Sequence, residues 1–129
     1  MSHDPPIALT HIDKTGQAFS VRPFESRDLA GLQQFYAGFE PKRSAQGLPP
    51  DTVEGTRRWL KNVMSRGHHL VVEIGGVILG HLMLMPMEDR PDGLELANFI
   101  HQSVRNRGIG TVVNRIGADV AQQLGKKVL

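Results

Sequence analysis

Arg105, Arg107, Gly108 and Gly110 stand within six residues of one another, in the stretch Val104-Arg105-Asn106-Arg107-Gly108-Ile109-Gly110-Thr111. A helix that starts here would present unpaired backbone N–H groups and a partial positive charge, both of which suit a phosphate. Glycine carries no Cβ, so a bulky anion can approach the main chain closely at Gly108 and Gly110. Arg105 and Arg107 would add mobile positive charge beside that cradle. Two better-known phosphate loops fit poorly. The dinucleotide fingerprint needs a third glycine where Val113 stands, and the P-loop needs a Gly-Lys-Ser/Thr that is absent. The same residues also describe a solvated basic loop capping a core helix, so the elements around the turn must decide.

On its N-terminal side, residues 94–100 are short and mostly apolar and are followed by polar residues, which reads as a strand. On its C-terminal side, Ile109, Val112, Val113, Ile116, Val120 and Leu124 recur at helical spacing, with Asn114, Arg115, Asp119, Gln122 and Gln123 largely opposite. Gly125 supplies a stop, and Lys126 and Lys127 suit the negative end of the helix dipole.

The rest of the chain supplies strands and helices in a definite order. Residues 1–16, with Pro5, Pro6 and Gly16, read as a flexible leader to a single domain over 17–129. Residues 17–22 alternate as a first strand that stops at Pro23. Ser26 or Asp28 caps a helix to about residue 39 whose apolar residues are Leu29, Leu32, Phe35, Tyr36 and Phe39. Residues 40–50 form a loop in which Lys42 and Arg43 are either a solvated pair or a contact for an acidic acceptor. Asp51 or Thr52 opens a second helix to about residue 66, with Trp59 as a packing anchor. Residues 69–74 and 77–85 are strands joined by a Gly75-Gly76 hairpin turn. His81, Met83, Met85 and Met87 share one strand face and line either an adaptable pocket or the core, the usual place of such residues. Residues 88–93 form an exposed turn. His68 and His69 point to opposite strand faces and no histidine cluster forms, so no metal is expected.

Composition narrows the function class. At 129 residues the chain is one domain, with 40% hydrophobic residues and a net charge of only +2. Without a long basic run, and with a single Trp and a single Tyr, nucleic acid is not an expected partner. No apolar run is long enough to span a bilayer and no signal peptide is present, so no membrane partner is expected. The absence of cysteine excludes disulfides and an acyl-cysteine intermediate, and leaves the cytoplasm as the default compartment.

Arg105-x-x-Gly108-x-Gly110 between a strand and a helix resembles the acyl-coenzyme A pyrophosphate motif of the GCN5-related N-acetyltransferase (GNAT) superfamily. The segment Val21-Arg22-Pro23-Phe24-Glu25-Ser26-Arg27-Asp28-Leu29-Ala30-Gly31-Leu32 is similar to the opening of many such domains. The order strand, helix, helix, three strands, phosphate turn, helix also matches their core. The resemblance implies an α/β fold with a mixed sheet, the acyl-CoA N-acyltransferase fold, over 17–129. It also implies truncation after the third helix, because residues 126–129 are only the first step of the family's fifth strand.

By that resemblance the chain is an N-acetyltransferase with acetyl-CoA as co-substrate and a small-molecule, or peptide, amine as acceptor. The phosphates would sit on Arg105, Asn106, Arg107, Gly108, Ile109, Gly110 and Thr111. A bulged strand at Asn98, Phe99 and Ile100 would pair with the pantetheine arm. Glu95, ten residues before Arg105, matches the general base of the phosphinothricin acetyltransferase-like branch; otherwise it is a strand carboxylate facing solvent or an arginine. The family's usual proton-donating tyrosine lies in the missing part, Tyr36 is not at its place, and no general acid is assigned. The alternative is a non-catalytic GNAT-like module that binds an acyl-CoA or a protein partner. The short C-terminus further implies a homodimer, or a piece of a longer chain with little activity alone.

Overall fold

The computed structural model describes residues 9–40, 50 and 52–129. Among the described residues, six strands form one sheet in sequence order: β1 (Leu9–Ile12), β2 (Ala18–Pro23), β3 (His68–Ile74), β4 (Val77–Met87), β5 (Arg90–Ile100) and β6 (Lys127–Val128). Pairing is antiparallel from β1 to β5, and β6 joins β5 in parallel. The sheet is therefore mixed, as expected. Helices α1 (Leu29–Gly38) and α2 (Val53–Met64) pack on one face and α3 (Ile109–Gln123) on the other.

Strand alternation feeds the two faces separately. Leu82 and Leu84 of β4 join Phe19, Val21, Val72 and the α3 residues Val113 and Ala121. Met83, between them, joins Leu32, Phe35 and Tyr36 of α1, Leu60 of α2 and Phe99 of β5, with Met85 packed alongside. Met83 is thus core and Met85 packs against it, while Met87 is half-buried outside the cluster. Trp59 anchors the same face, edge-on to Tyr36 at 5.0 Å and to Phe99 at 6.1 Å between ring centroids. On the α3 side the helix lies close to the sheet because residue 117 has no side chain. A Cβ at Gly117 would meet Leu82 Cδ2 at 2.8 Å.

Local chemistry sets the joints. Gly75 and Gly76 have φ of 57° and 82°, the left-handed pair that a two-residue hairpin turn requires. Thr52 caps α2 by accepting from the Gly55 N–H at 2.9 Å. Arg22 explains the motif that opens the domain: its guanidinium donates to both Asp28 carboxylate oxygens at 2.7 and 2.8 Å and lies 3.4 Å from Glu73. Asp28 in turn accepts from the Glu25 N–H at 2.8 Å, so Arg22 and this buried carboxylate together tie β2, β3 and the start of α1. The Arg22 side chain holds Asp28 below the usual carboxylate range.

Two expectations need correction. Residues 9–12, placed in the flexible leader, pair with residues 18–21 as an edge strand. The Asp13 carboxylate closes that hairpin, accepting from the Thr15 N–H, the Thr15 hydroxyl and the Gln17 N–H at 2.8, 2.6 and 3.0 Å. The exposed turn placed at 88–93 is only Glu88 and Asp89; β5 starts at Arg90 and takes up the extra residues as an irregularity opposite Pro86 and Met87. Lys127 and Val128 pair with Gly93 and Leu94, the expected first step of a further strand after the third helix. Residues 1–8, Lys42, Arg43 and Asp51 lie outside the described residues. Among the described residues no helix is long and apolar enough to cross a membrane.

Candidate active site

β5 delivers the chain to the phosphate turn through a single 3₁₀ turn, Gln102–Val104. Val104 and Ile109, 6% and 1% exposed, plug both ends of the turn into the α3-side core, so the loop between them is held from beneath. Gly108 is the residue before α3, with φ of 85°, a conformation costly for any residue with a Cβ. Asn106 also takes a left-handed φ, 63°, which asparagine tolerates better than most. The first-turn N–H groups, at Ile109, Gly110 and Thr111, have no intrahelical acceptor.

A cleft of about 470 Å³ opens at this end of the sheet, lined by Phe39, Asn98, Phe99, Ile100, Val104, Arg105, Asn106, Ile109, Gly110 and Asn114. Seven of the sequence-predicted residues therefore meet in one place: Asn98, Phe99, Ile100, Arg105, Asn106, Ile109 and Gly110. Arg107, Gly108 and Thr111 continue the same turn without lining the cleft. Glu95 lies further back on β5, and its exposed side chain has no hydrogen bond or ion pair to the described residues.

The arginines are not the mobile charges expected. Arg105 turns inward: its Nε donates to the Ile100 carbonyl at 2.9 Å, its terminal nitrogen donates to the Glu40 carbonyl, and its guanidinium covers the Phe39 ring at 5.1 Å. Arg107 reaches the Asp13 carboxylate at 3.7 Å and the Ser103 carbonyl at 3.4 Å. Free backbone carbonyls in a turn draw guanidinium donors, and both residues brace the loop before they offer charge to anything else. The strand bulge expected at Asn98–Ile100 is also not there. Pairing with β4 is continuous from Ile100 back to Leu94, and the irregularity lies beyond it. The edge of β5 facing away from β4 is paired with β6 only at Gly93 and Leu94.

Some contacts within the site escaped the sequence reading. The Asn98 side chain donates to the Gly110 carbonyl at 3.2 Å and to Asn114 Oδ1 at 2.9 Å, tying β5 to the first turns of α3. A polar residue on a strand face otherwise made of Leu94, Leu96 and Ile100 was the available signal. Gln102 clamps the end of α1, accepting from the Glu40 N–H at 2.9 Å and donating to the Gly38 carbonyl at 2.6 Å. Nothing local in the sequence marks that contact. Among the described residues no group of three His, Asp or Glu side chains could hold a metal ion.

The profile of the Acetyltransferase (GNAT) family matches residues 32–129, which includes the turn, the cleft and all three helices except the start of α1. The chain belongs to the GNAT family. No curated protein sequence matches it. Solved structures share the GNAT fold at low identity. The GNAT domain of S. lividans PAT has a TM-score of 0.74 at 19% identity, over 95% of this chain and 77% of that one. A GNAT family acetyltransferase from Brucella melitensis, solved in complex with acetyl-CoA, gives 0.65 at 22% identity, over 84% and 71%. A ribosomal-protein-alanine N-acetyltransferase from Brucella melitensis gives 0.62 at 21%, over 81% and 68%. In GNAT terms the six-stranded mixed sheet and three helices are the acyl-CoA N-acyltransferase fold, and acyl transfer is the family's activity.

Proposed function

We propose that this chain transfers the acetyl group of acetyl-CoA directly to the amine of a small-molecule or peptide acceptor. One observation carries the reading: the open first turn of α3 and the free edge of β5 meet in a single cleft. The turn suits a pyrophosphate, which takes N–H donors and the positive end of the helix dipole. The β5 edge from residue 95 to residue 100 suits an extended amide-bearing arm, which can pair with it as an added strand does. A Cβ at Gly110 would find only ordinary contacts, at 3.8 Å from Asn98 and Ile100, so the fold leaves room for a ligand to come close there. The Brucella relative solved with acetyl-CoA supports the choice of donor.

In this reading the amine nitrogen attacks the thioester carbonyl, the carbon–sulfur bond breaks, and coenzyme A leaves as its thiol once its sulfur takes up the proton that the nitrogen loses on forming the amide. An alkylamine is mostly protonated at neutral pH, so a base must take a proton first. Glu95 holds that role: it is exposed and unpaired among the described residues, on the β5 face shared with Ala97 and Phe99. Main-chain N–H groups of the β5 edge would meet the oxyanion of the tetrahedral intermediate. Acetyl-CoA should raise the melting temperature by mass action, and a thiol-release assay with a panel of amines should show turnover. No shift at millimolar acetyl-CoA would remove the donor assignment. A shift without turnover on any amine would favour the non-catalytic acyl-CoA-binding module.

A further inference from the structure

The turn between β1 and β2 sits against the phosphate turn, although about ninety residues separate them in sequence. The Lys14 N–H donates to the Arg107 carbonyl at 2.9 Å. The Lys14 side chain then runs along the outside of Gly108, where a Cβ would stand 3.2 Å from Lys14 Cε and 3.5 Å from Cγ. Asp13 beside it has a side chain with no exposed surface and faces Arg107 at 3.7 Å. Hydrogen bonding from the Thr15 hydroxyl, backbone N–H groups and the Arg107 charge keep its carboxyl below the usual range.

These contacts redistribute the charge of the site. Asp13 offsets Arg107, and Arg105 is held against the Ile100 and Glu40 carbonyls. The Lys14 ammonium, on an exposed side chain, has no ion-pair partner among the described residues. It is one bond beyond a Cε that rests on the residue preceding α3. We propose that Lys14 is a phosphate-contacting residue of the acyl-CoA site, delivered from the first hairpin. Arg105 and Arg107, the arginines of the motif, shape the turn. This rests on the donor reading above. The group contacted is a phosphate of the nucleotide end, either the pyrophosphate or the ribose phosphate.

Calorimetry with acetyl-CoA and with acetyl-dephospho-CoA, which lacks the ribose phosphate, tests this on the whole chain. Lys14→Ala should bind acetyl-CoA about tenfold more weakly, the loss of one charge-assisted contact. Lys14→Arg should restore binding, and the apo melting temperature should stay unchanged in both. If Lys14 meets the ribose phosphate, Lys14→Ala and wild type should bind the dephospho compound equally. If it meets the pyrophosphate, the tenfold gap should persist with both ligands. Wild type binding while Lys14→Ala matches it on both ligands would overturn the role of Lys14 alone. Wild type binding neither ligand would overturn the donor reading, and the role of Lys14 with it.

Discussion

Gly108 is the residue on which conformation and ligand meet. Its φ of 85° makes Gly108→Ala a measure of backbone strain, expected to lower stability by about 1 kcal/mol with acetyl-CoA binding retained. Gly108→Glu adds bulk and negative charge where a phosphate would lie, and should abolish the acetyl-CoA shift in melting temperature. A normal shift in that variant would place the nucleotide elsewhere. Glu95 separates binding from chemistry. Glu95→Gln should slow turnover by about two decades or more, in the range of acid–base groups, with coenzyme A affinity little changed. Unaltered turnover would move the base to another residue.

Strand β4 carries a polar chain through the α1/α2 core that no motif announces. His69 Nε2 lies 3.0 Å from the Val63 carbonyl and 2.8 Å from the Arg66 carbonyl, so it must donate. His69 Nδ1 then accepts from His81 Nε2 at 3.0 Å, and His81 Nδ1 accepts from the Tyr36 hydroxyl at 2.5 Å. Every proton in the chain has one place, and both imidazoles are neutral. Burial, with His69 as a second cause, pulls His81 from 6.5 down to about 3, and burial lowers His69 as well. The unfolded chain therefore binds more protons than the folded one below pH 6.5. Stability is full above that value and falls as pH drops toward 3, by about 1.4 kcal/mol per unit for one such histidine. Urea titrations at several pH values should show this slope, and His81→Gln should flatten it. A wild-type stability independent of pH between 6.5 and 5 would mean that His81 protonates without cost in the fold.

Across the whole molecule, the sheet separates two cores, and the cleft opens where β5, α3 and the end of α1 come together. Much of that plan was legible in the sequence. The apolar spacing of Ile109 and Val113 on α3, the paired glycines at 75 and 76, and Arg22 with Asp28 are local signals with local causes. Contacts that depend on how distant elements dock were not legible. Tyr36 and His81 are 45 residues apart. The Arg105 side chain turns inward only because α1 ends with its Phe39 ring and Glu40 carbonyl within reach. β1 was missed because four residues, two of them Thr10 and His11, carry little strand pattern, and pairing with β2 makes the strand.

Trp59 is the only tryptophan in the chain, and it touches Phe99, whose ring also lines the cleft. The protein thus has a built-in optical reporter one ring away from the proposed pantetheine path. Excited selectively, its indole emission should change in intensity or wavelength as acetyl-CoA is titrated, with a midpoint equal to the calorimetric one. Lys14→Ala should move that midpoint and leave the emission of the saturated protein as it was. An emission that stays constant through saturation would mean that ligands settle at the mouth of the cleft without disturbing its aromatic floor.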